Sequence, residues 1–246
     1  MSAIPSDWAY VKLVYHPHED ADRIITQERR WPELIGALSA ITDADIVARH
    51  QAYPKPPAGA QTALNEIIKE RLAAFGWEPE PRLFEPGDGP EWAMDFHDRS
   101  AIGVEVVFNH NSYSPLILNK LLLARRYEGV KASSRIRIGV VVAATKRLKK
   151  WGRMDGSVAT FESFRDTWLP YLGPIVTMPV MLIGLDAEHG DNVWDLEGGD
   201  FRGTVSGIKD AGLERLVSDG DDSESDAIEL HGEDAETSPQ PTLDDA

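Results

Sequence analysis

The 246-residue chain contains no cysteine. That excludes disulfides, thiolate nucleophiles and every metal site built on cysteine sulfur. It fits a reducing compartment, and a cytoplasmic location is the expectation. Long apolar runs are also missing. The most apolar stretch, Gly173 to Leu185, is too short to cross a bilayer and is interrupted by Pro174 and Pro179, so no membrane association is expected. Met1 to Asp7 shows neither a basic nor an apolar segment, so no secretory signal is expected. The chain has no phosphate-binding GxxxxGK loop, no GxGxxG and no His/Cys zinc pattern. His16-Pro17-His18-Glu19-Asp20 reads as a polar loop, because proline separates its two histidines. Finally, Lys and Arg are absent between Val217 and Ala246, where eleven Asp and Glu stand.

What is present is a normal apolar content of 42%, enough for one large domain or two small ones. The formal net charge is −16, of which the last thirty residues carry −11, leaving −5 for residues 1–216. Within that body, Asn119 to Arg153 holds eleven bases and one acid. An acidic chain with so basic a centre is compatible with phosphate contact, which the net charge alone would argue against. The plain alternative is a set of solvated helix faces. Residues 216–246 have the composition of an acidic disordered tail. Such a tail solubilises, or folds back on the basic surface and competes with nucleic acid; in the second case its deletion tightens binding at low salt.

Hydrophobic periodicity sets out the elements. Trp8 to Tyr15 reads as a strand and Ile35 to His50 as a helix. Pro54 to Gly59 is a loop. Gln61 to Phe75 is an amphipathic helix through Leu64, Ile67, Ile68 and Leu72, stopped by Gly76. Glu78 to Pro90 is a loop with a short strand near Leu83. Glu91 to His97 and Ala101 to Asn109 read as a hairpin. Pro115 to Glu128 and Phe161 to Leu169 read as helices, with Ile136 to Ala144 and Val176 to Leu185 as buried strands. The order predicts an α/β domain with a mixed β-sheet flanked by helices. Residues 1–54 would pack as an N-terminal segment on a core of residues 55–215.

The hairpin carries the chemistry. Asp95 stands in its first strand and Glu105 at the centre of its second, among Ile102, Val104, Val106 and Val107. Residues on facing antiparallel strands share a side, so the two carboxylates are expected to converge. Two such acids repel unless a cation neutralises them, and Mg²⁺ or Mn²⁺ favours oxygen ligands of this kind. Metal-assisted phosphodiester hydrolysis is one reaction such a pair serves. Asn65 and Glu66 on the preceding helix, and His110 just after the strand, are further candidates. Their plain readings are solvated helix positions for the first two and a turn for the third.

Taken together, Ala58-Gly59-Ala60-Gln61-Thr62-Ala63-Leu64-Asn65, Asp95, Ile102-Gly103-Val104-Glu105-Val106-Val107-Phe108-Asn109-His110, the basic helix and Ile138-Gly139-Val140-Val141-Val142-Ala143-Ala144-Thr145 resemble the BglII/BstYI group of type II restriction endonucleases, within the PD-(D/E)xK nuclease superfamily. The similarity spans roughly residues 55–186. It implies a PD-(D/E)xK restriction-endonuclease-like core and a Mg²⁺-dependent endodeoxyribonuclease that acts as a homodimer on a short site in double-stranded DNA. It makes Asp95 and Glu105 the metal ligands, assisted by Asn65 or Glu66. The DNA backbone would be held by Lys120, Arg125, Arg126, Lys131, Arg135, Lys146, Arg147, Lys149 and Lys150. One departure stands out. The superfamily usually places Lys, or in this group Gln or Glu, two residues after the Glu, where this chain has Val107. Asn109, His110 or Glu66 would then substitute, or the metal alone would activate water. A catalytically weakened DNA-binding protein of the same fold is the alternative, and an interaction factor acting through its acidic tail is a second.

Overall fold

A computed structural model describes residues 13–187. The expected tail and the start of the expected first strand lie outside them. Six strands form one mixed sheet in the order β1-β6-β5-β4-β3-β2. They are β1 (Leu13–His18), β2 (Glu78–Pro79), β3 (Phe96–His97), β4 (Ile102–Val107), β5 (Ile138–Ala144) and β6 (Val180–Leu185). β4, β5 and β6 run parallel, while β1, β3 and β2 add antiparallel at the two ends.

The parallel strands are apolar at nearly every position because both faces are covered. Alternate residues divide between two clusters. Ile138, Val140, Val142 and Ala144 of β5 face one, with Met181 and Ile183 of β6. That face is covered by α1 (Ala21–Ile25), α2 (Trp31–Ser39), α3 (Asp43–Gln51), α4 (Gln61–Ala74) and α6 (Lys146–Trp151). Val141 and Ala143 face the other cluster, with Leu182. There α5 (Ser114–Arg126) and a helical run that begins at α7 (Phe161–Ser163) pack against the sheet. That run continues through a π-helical turn, Phe164–Trp168, into α8 (Leu169–Leu172).

Several local expectations change. The first hairpin strand, expected over Glu91 to His97, forms only at Phe96–His97, so Asp95 lies just before it, and Glu78–Pro79 is a short strand where a loop was expected. The single helix over Ile35 to His50 is two, because Thr42 caps α3 in a capping box with Asp45. His16 to His18 is strand rather than loop; β1 lies at the sheet edge, where a proline such as Pro17 is tolerated. β6 begins at Val180, directly after Pro179, and lies inside the sheet.

The hairpin turn is organised by Asp98, whose buried carboxylate accepts the backbone N–H groups of Ser100, Ala101 and Ile102 and the Ser100 hydroxyl. Gly103 is required where β4 passes Met94 and Ile136, since a Cβ there would lie 2.6 Å from the Met94 sulfur. Arg30, just before α2, ties the turn to the rest of the fold. Its guanidinium donates to the Asp98 carbonyl at 3.1 Å and to the Phe75 carbonyl at the end of α4. It also pairs with Glu33 and lies over the Trp77 ring.

Candidate active site

β3 and β4 pair with Phe96 opposite Val104, so the next position brings Asp95 level with Glu105. Asp95 ends the ladder by accepting the Val106 N–H on its own carboxylate at 2.6 Å. This bond fixes the Asp95 side chain beside β4. Glu105 is held between β3 and β5 and is only 2% exposed. One of its oxygens accepts from the Lys120 ammonium at 2.7 Å. The other, Oε1, is buried without a hydrogen-bond partner.

Electrostatics follow from this geometry. Burial, and next the charge of Asp95, push the Glu105 carboxyl up to about 8 against the pull of Lys120. Burial also raises Asp95, opposed chiefly by the Val106 N–H. Two carboxyls that resist ionising together favour a cation between them.

The pair lines a cavity of about 440 Å³ together with Asn65, Glu66, Lys69, Glu80, Asn109 and Lys120. Asn65 is exposed. Glu66 shares one oxygen with Arg49 at 3.2 Å, and Lys69 pairs with Glu80 at 2.9 Å. His110 is exposed and caps the short turn after β4 by accepting the Ser112 N–H. It lines a different cavity, of about 630 Å³, with Lys146, Lys149, Lys150 and Arg153. Val107 is fully buried in the apolar cluster under α5 and does not line the carboxylate cavity.

The basic side chains differ in what they touch. Arg125 and Arg126 donate to the carbonyls of Arg137 and Thr177, and Arg135 to those of Val130 and Glu128. Arg147 pairs with Asp186, and Lys149 donates to Gly156 and Val158. Lys146 and Lys150 are exposed, and Lys131 is half-buried. Lys120 lies in the carboxylate cavity, donating to Ala93 as well as Glu105. Its spacing carried a signal: Ile117, Lys120 and Ala124 share one α5 face, and the two apolar members are buried.

The unpartnered oxygen of Glu105 and the all-oxygen donor set fit a hard divalent cation. Among the described residues no cluster of three or more His, Asp or Glu is placed to hold a metal. Water and phosphate oxygens would therefore complete its shell.

The family model of the restriction endonucleases BglII/BglIII matches residues 13–185. The chain belongs to this family. Its members' fold is found here in the solved structure of restriction endonuclease BglII complexed with a DNA 16-mer, with a TM-score of 0.56 at 15% identity. The match covers 72% of this chain and 79% of that one. Free BglII matches with a TM-score of 0.43 at 17% identity, over 72% and 80% of the two chains. No curated protein sequence matches. Membership of the BglII/BglIII family makes the protein an endodeoxyribonuclease of the restriction class.

Proposed function

We propose that the protein is a type II enzyme that hydrolyses phosphodiester bonds at a short specific site in double-stranded DNA, using Mg²⁺ or Mn²⁺ held by Asp95 and Glu105. The observation that carries this reading is the buried Glu105, with one oxygen unpartnered, beside Asp95 on a cavity wall. When bound there, a divalent cation polarises the phosphoryl group and lowers the pKa of water. The chain's own contribution is position. The Val106 N–H fixes Asp95, and the pairing of β4 with β5 fixes Glu105. Asn65 and Glu66, on the α4 wall of the cavity, are placed to orient water or a phosphate oxygen.

For the duplex backbone we favour Lys146 and Lys150, exposed on α6. Arg125, Arg126, Arg135 and Arg147 are engaged by the chain itself. The BglII structure that this chain resembles contains DNA, which supports a duplex partner. A homodimer facing a palindromic site is the corresponding assembly.

The test is incubation of the wild type, Asp95→Ala and Glu105→Ala with plasmid and phage DNA in Mg²⁺. Discrete fragments from the wild type alone are expected. Duplex binding in Ca²⁺ with no cutting in Mg²⁺ or Mn²⁺ would instead mark a DNA-binding protein that has lost catalysis.

A further inference from the structure

β4 brings only one charged group, Glu105, to the catalytic cavity; the next residue on that side, Val107, is spent on the core. A phosphodiester undergoing attack gathers negative charge on its non-bridging oxygens, and that charge needs fixed donors. Two ammonium groups line the cavity. Lys69 is largely exposed and paired with Glu80. Lys120 differs. Its side chain is 14% exposed, and it is aimed at the carboxylate pair from a helix packed on the sheet. Its ammonium has three donors, of which the Glu105 carboxylate and the Ala93 carbonyl take two. Among the described residues the third meets no acceptor.

We propose that Lys120 is a catalytic residue whose ammonium donates to a non-bridging oxygen of the scissile phosphate, delivering from α5 the positive charge that β4 does not carry. The proposal rests on the nuclease reading of the Asp95 and Glu105 cavity. In the reaction a water oxygen bonds to phosphorus as the bond from phosphorus to the departing sugar oxygen breaks. The water gives its proton to solvent and the departing oxygen takes one from solvent. Lys120 stays charged throughout and transfers no proton. Its contact with Glu105 serves a second purpose: before a divalent cation and substrate arrive, it offsets the repulsion between Glu105 and Asp95. A side chain in this position competes with the cation for one Glu105 oxygen, so its removal should leave metal affinity equal or higher.

The experiment uses the full chain as wild type, Lys120→Gln, Lys120→Met and Asp95→Asn. Gln keeps an uncharged hydrogen-bonding end one bond short of the ammonium; Met keeps a stem of similar size with no donor. Melting curves establish that each variant folds. Mn²⁺ affinity is measured by calorimetry without DNA. Duplex affinity is measured in Ca²⁺, and single-turnover cleavage of plasmid in Mg²⁺. Both Lys120 variants should lose about 100-fold or more in cleavage rate. They should bind Mn²⁺ as tightly as the wild type or more tightly, and keep duplex affinity within about threefold. Cleavage within about fivefold of wild type would overturn the assignment. So would a parallel loss of Mn²⁺ affinity, since Lys120 would then merely hold Glu105 in place. A wild type that neither cuts nor binds Mn²⁺, and so behaves like Asp95→Asn, would overturn the reading of the site itself and the role of Lys120 with it.

Discussion

Glu105 is the residue at which stability and chemistry oppose each other. A carboxylate buried beside Asp95 with one oxygen unpartnered is costly, and an amide of the same shape is less so. Glu105→Gln should therefore abolish cleavage while changing the stability of the metal-free protein little, because relief of the repulsion with Asp95 is set against the Lys120 ammonium left without its carboxylate partner. Chemical denaturation beside a cleavage assay checks both halves. Mg²⁺ at about 100 times its dissociation constant should stabilise the wild type by about 2.7 kcal/mol, and the variant hardly at all. His97 gives the pH dependence. Burial holds its pKa below the ordinary 6.5, against the opposing charge of Asp98. The folded chain then keeps His97 neutral where the unfolded chain takes up a proton, so this group's share of stability is present above 6.5 and lost as pH falls below it. Melting temperatures from neutral to mildly acidic pH should fall less steeply in His97→Leu than in the wild type. Asp95 and Glu105 were legible in the sequence because a hairpin of ordinary length fixes which residues face each other. The place of Lys120 was less so: α5 has a basic end at Arg125 and Arg126, and only the packing of α5 on β4 separates Lys120 from those two.

At the scale of elements, the turn between β3 and β4 matters more than its length suggests. Asp98 satisfies the backbone N–H groups of Ala101 and Ile102 inside the protein and that of Ser100 nearer its surface. Asp98→Ala should cost about 2–3 kcal/mol. It should also weaken metal affinity, because the register that sets Asp95 against Glu105 depends on that turn; urea unfolding and Mn²⁺ titration check the two effects. The hairpin, α4, α5 and β5 follow from periodicity, since each has a full face to bury. The break between α2 and α3 does not, because Ile41 and Ile46 continue the apolar pattern across it. Thr42 with Asp45 was the signal, a capping pair inside an apparently continuous run. The placement of His110 is equally a matter of tertiary structure: as the cap after β4 it turns toward the α6 cavity and away from the carboxylates.

For the whole molecule, charge is distributed so that a net of −16 coexists with a lysine-bearing helix, α6, next to the sheet. Lys146→Ala with Lys150→Ala should weaken duplex binding in Ca²⁺ for every sequence alike. The log–log salt slope should shrink by about 1 for each phosphate that the variant no longer neutralises; fluorescence anisotropy across a salt series measures it. An unchanged slope would move the backbone-binding surface elsewhere. One long-range link also has a temporal meaning. The guanidinium of Arg30 joins groups 45 and 68 residues away, and pairings across such separations close late because the intervening chain must first be ordered. The hairpin that bears both carboxylates is thus clamped only after the segment before α2 has docked. The turn that sets the two acids opposite each other is thereby tied down by a residue that touches neither of them.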